Sequence, residues 1–171
     1  MSASARTHMN ERERIGFLEL SLTRMLQWIN AAEARIAVVL GLDTAMLGAL
    51  AAFAPLLKTW MTATVIYAAV AVGCLVLSLI FIALATFPRM RRPEQSMVYF
   101  GAVAEFDPEQ YLAAAKSLTA EQYIDDLARQ CHRNAQIARA KFGHIRRGLF
   151  FLFVAIVPWA LAILLLYQQR V

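Results

Sequence analysis

The sequence predicts an all-α membrane protein: three transmembrane helices, with a cytosolic helical bundle formed by the N-terminal helix and the segment between spans two and three. Three observations carry this expectation. The chain of 171 residues is 60% hydrophobic and only 17% charged, with a mean hydropathy of +0.52. That is more apolar matter than a soluble chain of this length carries. The excess sits in three runs, 36–57, 62–87 and 148–167, the first uncharged but for Asp43 and the other two without any charge. Each reaches the roughly 20 helical residues that a bilayer core about 30 Å thick requires. Finally, Lys and Arg alternate along the chain. Five precede residue 36, one (Lys58) lies between the first two runs, ten lie in 88–147, and one (Arg170) follows the last run. Basic residues collect on the cytoplasmic side, so the N-terminus and 88–147 are expected inside and the C-terminus outside.

The organisation that follows is a disordered tail at 1–9, a cytosolic helix at 10–35 and transmembrane helices at 36–57 and 62–87. A cytosolic sensing segment at 88–147 and a third transmembrane helix at 148–167 complete it. The helix from Asn10 carries Ile15, Leu18, Leu22, Met25, Leu26 and Ile29 at spacings of three and four, with Glu13, Glu19 and Arg24 opposite. No Pro or Gly stops it before the first span, so it is expected to run straight into the membrane. Asp43 is the costly residue of that span, because an intramembrane carboxyl needs a partner or water. Gly41, Gly48 and Gly73 permit close helix approach in a hairpin. Phe87-Pro88 ends the second span, and Arg89, Arg91 and Arg92 hold its boundary at the lipid headgroups. Trp60 and Tyr167 suit interfacial anchors.

Within the sensing segment, residues 96–105 (SMVYFGAVAE) read as an extended stretch packed on helices, or as a loop carrying Tyr99 and Phe100 toward a pocket. Asp107-Pro108-Glu109-Gln110 opens a short helix ending near Leu118, with Asp107 as N-cap and Pro108 at the first helical position. Thr119-Ala120-Glu121-Gln122 is a second capping box. It starts a long helix with Ile124, Leu127, Cys131, Ala135, Ala138, Phe142 and Ile145 on one side, and only Gly143 and Gly148 separate it from the last span.

No enzyme is expected. The sequence holds no nucleophile elbow, no phosphate-cradling glycine loop and no metal-ligand spacing. His132 and His144 stand twelve residues apart on one helix, and Asp125 and Asp126 are consecutive, so they point about 100° apart. Cys74 and Cys131 are read as structural. A nucleic-acid partner is not expected either, because the basic segments mix acid with base and lack an aromatic–basic pattern. The net charge of +5 belongs to topology and anionic lipid.

The polar residues that stand close to apolar stripes are more informative. Asp126, Gln130, Arg133 and Asn134 follow one another at spacings of three and four. Glu33 and Arg35 sit where the first helix meets the membrane, and Tyr111 and Tyr123 begin the two polar helices. Together they offer the donors, acceptors, aromatic faces and cation that a small anionic heterocycle needs. A buried polar network that fixes the register of a bundle accounts for the same residues.

At these residues the chain resembles a known family. AEARIAVVLGLD (residues 32–43) and, more specifically, FGAVAEFDPEQYLAAAKSLTAEQYIDDLARQCHRNAQIARAKF (residues 100–142) are similar to the transmembrane effectors of Pycsar anti-phage systems. The features are Phe100-Gly101, two aromatic-bearing helix starts, the run Leu127 to Gln130, Asn134 with Ala135, and Lys141 before the last span. The similarity extends from about residue 25 to 167. Glu33 and Arg35 stand where the pattern has Asp and Lys, and Asp43 where a neutral polar residue is usual. The resemblance implies a multi-pass protein of the bacterial inner membrane, without a cofactor and with a homo-oligomeric state. Its functional partner would be a uridylate or cytidylate cyclase, and its ligand cyclic UMP or cyclic CMP. Ligand binding would compromise the membrane and abort the infection. On that reading Arg133 or Arg35 takes the phosphate, Asn134 or Gln130 the base edge, and Tyr111 or Tyr123 stacks on the base, with Glu33 and Asp126 beside them. The alternatives are a small membrane adaptor, or a minimal ion channel subunit with Asp43 lining a pathway.

Overall fold

The computed structural model describes residues 9–52, 61–87 and 96–168. The tail at 1–8, the hairpin turn with Lys58 and Trp60, the stretch from Pro88 through Arg89, Arg91, Arg92 and Pro93, and Arg170 lie outside the described residues. Of the described residues 90% are helical and none is in a strand. The elements are α1 (Glu11–Ala52), α2 (Thr62–Thr86), α3 (Phe100–Val103), α4 (Pro108–Ser117) and α5 (Ala120–Gln168). α1, α2 and α5 are each long and apolar enough to cross a membrane.

The helix starts follow from their caps. The Asn10 side chain accepts from the Arg12 N–H at 2.7 Å, while the Asn10 N–H donates to Glu13 at 2.9 Å. Asp107 accepts from the Glu109 N–H, ahead of Pro108 at the first helical position. Thr119 and Gln122 close a reciprocal box, Gln122 N–H to Thr119 Oγ1 at 3.3 Å and Thr119 N–H to Gln122 Oε1 at 3.0 Å. Each satisfies donors that a helix end leaves orphaned. Nothing interrupts α1 after Asn10, and α5 passes through Gly143, Gly148 and even Pro158 without a break. Residues 96–105 are neither extended nor a plain loop: Phe100–Val103 forms one helical turn, and the Phe100 ring lies on the surface at 79% exposure against Tyr99.

The chain divides into two compact units, Met1–Ile29 with Arg89–Ala138, and Asn30–Pro88 with Arg139–Val171. The second is the apolar unit. Its buried positions repeat alternately every three and four residues: Ala32, Ile36, Val39 and Asp43 on α1, and Thr64, Ala68, Ala71, Leu75, Ser78, Ile82 and Ala85 on α2. On α5, Ile145, Leu152, Ala155, Ala162 and Leu166 are buried. That 3.5-residue period is the signature of left-handed helix packing. α2 is built inside out: Val65, Ile66, Val70, Val76, Ile80 and Leu84 are exposed, whereas alanines, Thr64 and Ser78 fill much of the seam. Lipid solvates the large side chains as well as protein does, so small residues that let backbones close up are the ones worth burying. Gly148 serves the same end. A Cβ there would lie 3.0 Å from Ile82 Cδ1 and 3.4 Å from the Ser78 carbonyl oxygen. Trp159 Nε1 donates to the Met46 carbonyl at 3.0 Å, tying α5 to α1.

The first unit is held differently. Leu127 and Ala102 are its buried apolar residues together with Ala138. Polar contacts link its two long helical parts: Tyr123 donates to Glu19 at 2.8 Å, and the Cys131 thiol to the Leu18 carbonyl at 3.4 Å.

Candidate functional site

A single hydroxyl organises the polar unit. Ser96 Oγ donates to the Asp126 carboxylate, lying 2.8 Å from Oδ1 and 3.0 Å from Oδ2. It accepts from Gln130 Nε2 at 3.1 Å and from the N–H groups of Val98 and Tyr99. Asp126 also takes the Met97 N–H at 2.8 Å. Asp126 and Gln130, one turn apart on α5, thus clamp the start of the 96–106 segment. Ser96 is 4% and Gln130 5% exposed, so these bonds form with little competition from water.

Beside this clamp lies a cleft of about 610 Å³. Met97, Phe106, Ala114 and Leu118 give it apolar walls, and Ser96, Ser117, Gln122, Asp125, Asp126 and Arg129 give it polar ones. Gln122, Asp125, Asp126 and Arg129 fall at i, i+3, i+4 and i+7 of α5, so one helical face supplies all four. Their remaining hydrogen-bonding capacity differs. Asp126 is engaged as described, and Gln122 Oε1 is held by the Thr119 N–H. Asp125 and Arg129 have no hydrogen-bond or ion-pair partner among the described residues, and both are exposed at the rim.

The residues singled out from the sequence divide between the two units. Tyr111, Tyr123, Asp126, Gln130, Arg133 and Asn134 belong to the first, and Glu33 and Arg35 to the second. Asp126 lines the cleft, and Gln130 stands behind it on Ser96. The Tyr111 ring packs against Phe106 at a centroid distance of 6.0 Å. Tyr123 is occupied by Glu19; burial first, and then that hydrogen bond with the charges of Glu19 and Asp126, push its phenol above the ordinary value. Asn134 Nδ2 donates to the Gln130 carbonyl at 2.9 Å. Arg133 is half-buried. In the second unit Glu33 accepts from the Lys141 ammonium at 2.8 Å, and the Arg35 guanidinium lies over the Phe142 ring at 5.4 Å.

Sequence reasoning passed over Ser96, Phe106, Gln122, Asp125 and Arg129 as site residues. The i, i+3, i+4, i+7 spacing of the four α5 residues was the available signal. No group of His, Cys, Asp and Glu among the described residues is arranged to hold a metal. Burial pushes the Cys131 thiol up, away from the reactive thiolate.

The family description "Pycsar effector protein domain" matches residues 17–168, nearly the whole chain and parts of both units. The chain belongs to the Pycsar effector family. This Pycsar effector is a membrane protein of an anti-phage defence system whose general partners are a cyclase and its cyclic nucleotide. Comparisons with curated proteins and with solved structures each return no match.

Proposed function

We propose that this effector senses a cyclic pyrimidine nucleotide, cyclic UMP or cyclic CMP, in its first unit and disrupts the inner membrane through its second, so that the infected cell dies before phage mature. The family match across residues 17–168 carries the reading. The cleft supports it. Its volume of about 610 Å³ falls in the range of small-molecule pockets, roughly 300–1,000 Å³, and it joins apolar walls to a few polar groups. Arg129 offers a guanidinium for phosphate, and Phe106 with Met97 and Leu118 offers surfaces for a base. The first unit faces the cytosol on the positive-inside argument, where a cyclase releases its product. The protein performs no catalysis and holds no cofactor: it binds, and the binding changes the spans. α1 and α5 contribute to both units, which gives two covalent routes for that change.

A lethal protein needs a quiet resting state. Shifting it from 1:99 to 99:1 takes about 5.5 kcal/mol of differential binding. The purified protein is tested in dye-loaded liposomes containing anionic phospholipid, with cyclic UMP, CMP, AMP and GMP added in turn. Release on a cyclic pyrimidine alone is the expected result. Release without nucleotide indicates a pore subunit, and neither release nor binding indicates an adaptor; either result sinks the proposal.

A further inference from the structure

We infer that the cytoplasmic end of the second unit carries a site for the headgroup of an anionic phospholipid, built from Arg35 of α1 and Arg139 and Arg146 of α5 around the Phe142 ring. The positive-inside pattern says only on which side cations collect; these three are, in addition, gathered about one side chain. Arg139, Phe142 and Arg146 fall at i, i+3 and i+7 of α5 and so share a face. The Arg35 guanidinium lies over that ring from α1, its carbon 5.4 Å from the centroid. All three arginines are exposed, and the ring beneath them is half-buried.

Charge at this end is not balanced from within. Over residues 30–35 and 139–147 the one carboxylate, Glu33, stands against Arg35, Arg139, Lys141, Arg146 and Arg147. Lys141 holds that carboxylate at 2.8 Å. Arg35, Arg139 and Arg146 have no ion-pair partner among the described residues. A guanidinium placed over an aromatic ring is held there by cation–π attraction, while its N–H fork, which matches phosphate oxygens two at a time, remains unspent. The level suits a lipid. Arg35 immediately precedes the first apolar run and Arg146 stands two residues before the third, where headgroup phosphates border the hydrocarbon. Arg139 lies two helical turns from Arg146 toward the cytosol, so the site follows a headgroup outward from its phosphate.

The same inventory sets the sign of the headgroup. A zwitterionic lipid would bring its own cation among three guanidinium groups, with the neighbouring carboxylate already taken. A headgroup of phosphate and hydroxyls alone, such as phosphatidylglycerol, meets no such repulsion. Arg147 provides the internal control. It follows Arg146 directly, points about 100° away from it, and lies over Phe81 of α2 at 5.9 Å instead.

The test is thermal unfolding of the full chain in uncharged detergent, titrated with dioctanoyl phosphatidylglycerol, dioctanoyl phosphatidylcholine or inorganic phosphate. Phosphatidylglycerol is expected to raise the transition saturably, as a ligand of the folded state does, and the other two to leave it in place. Arg35→Gln and Arg146→Gln are each expected to raise the half-saturating concentration about tenfold, the worth of a charged hydrogen bond. Arg147→Gln, the same loss of charge on the same helix, is expected to change it less than about twofold. Each variant is compared with its own lipid-free transition, so a shift in basal stability does not enter the result. An equal effect of phosphatidylcholine overturns the inference, because the headgroup charge is then not read. An equal effect of inorganic phosphate overturns it in favour of a free-anion site. Equal losses in all three variants, or none in Arg35→Gln and Arg146→Gln, reduce the feature to a diffuse positive field. Nucleotide sensing is untouched by any of these outcomes, since every residue named here lies in the second unit.

Discussion

Ser78 of α2 donates a 2.7 Å hydrogen bond to Asp43 of α1, and both side chains are fully buried in the apolar unit. The bond joins residues 35 apart in the chain. It occupies Asp43 Oδ2; Oδ1 is buried and has no hydrogen-bond partner among the described residues. The costliest residue of the first span is thereby half-satisfied by one hydroxyl on the neighbouring span.

Ser78→Ala is expected to cost more than an ordinary hydrogen bond, about 2–3 kcal/mol, because it leaves the Asp43 carboxyl without any partner. Asp43→Leu on that background is expected to recover most of the loss, since removing both polar partners spares the desolvation penalty. Thermal unfolding in detergent of the two single variants and the double variant checks the non-additivity. Additive losses would show that the bond contributes nothing of its own.

Lys141 and Glu33 form an unequal pair, the lysine side chain 6% exposed and the glutamate 59%. Glu33→Ala is expected to destabilise by about 1 kcal/mol, because it strips the counter-charge from a buried ammonium. Lys141→Met keeps the aliphatic stem and removes the buried charge, so it is expected to cost less. The same unfolding measurement ranks the two; the reverse order would contradict the burial argument.

Tyr123 gives the polar unit an alkaline limit. Burial and its bond to Glu19 raise the phenol above 10.0. A group whose pKa rises on folding contributes its stabilisation in full below its unfolded value and loses it as pH climbs through its folded value. Stability is therefore expected to fall as pH rises above about 10, and Tyr123→Phe to blunt that fall. Ultraviolet titration is expected to show one phenolate in the parent that ionises later than the others and is missing from the variant. Identical titration curves above pH 10, apart from a chromophore of ordinary pKa, would contradict this.

Gly148 marks where α5 comes closest to α2. Gly148→Ala asks Ile82 to yield by a few tenths of an ångström, against a helix-propensity gain of about 1 kcal/mol, so the change is expected to be nearly neutral. Gly148→Leu forces its branched side chain into Ile82 and the Ser78 carbonyl and is expected to cost about 1–3 kcal/mol. Equal melting temperatures for all three proteins would mean that the helices are free to part at this level.

Much of the architecture was legible in the sequence, because its signals are local. Apolar runs of 20 or more residues, charge-free but for Asp43, announce spans, and Asp107 and Thr119 with Gln122 announce helix starts through bonds two or three residues long. With no proline before residue 36 and no glycine between Gly16 and that point, the sequence announced that α1 would continue. What could not be read was which face of α2 turns inward. Hydrophobic periodicity locates a core against water, but Val65 and Ile80 are as well placed in lipid as in protein. Ser96 escaped for another reason: its partners Asp126 and Gln130 are 30 and 34 residues away, and nothing in SMVYF declares them. Arg129 and Asp125 are exposed on α5, and what sets them apart from an ordinary solvated helix face is that both line the cleft.

The alanine-rich seam of α2 has a bearing on reversibility. Contacts between small side chains surrender little dispersion energy when lipid tails replace them, so most of that seam opposes separation only weakly. Chemistry is added to contact area where Ser78 of α2 meets Asp43 of α1, and α5 is tied separately to α1 by Trp159 and Met46. Helices joined this way behave less like a glued block than like a garment closed by a few buttons. Undoing one releases a long length at once, and the same small residues let the faces come back together.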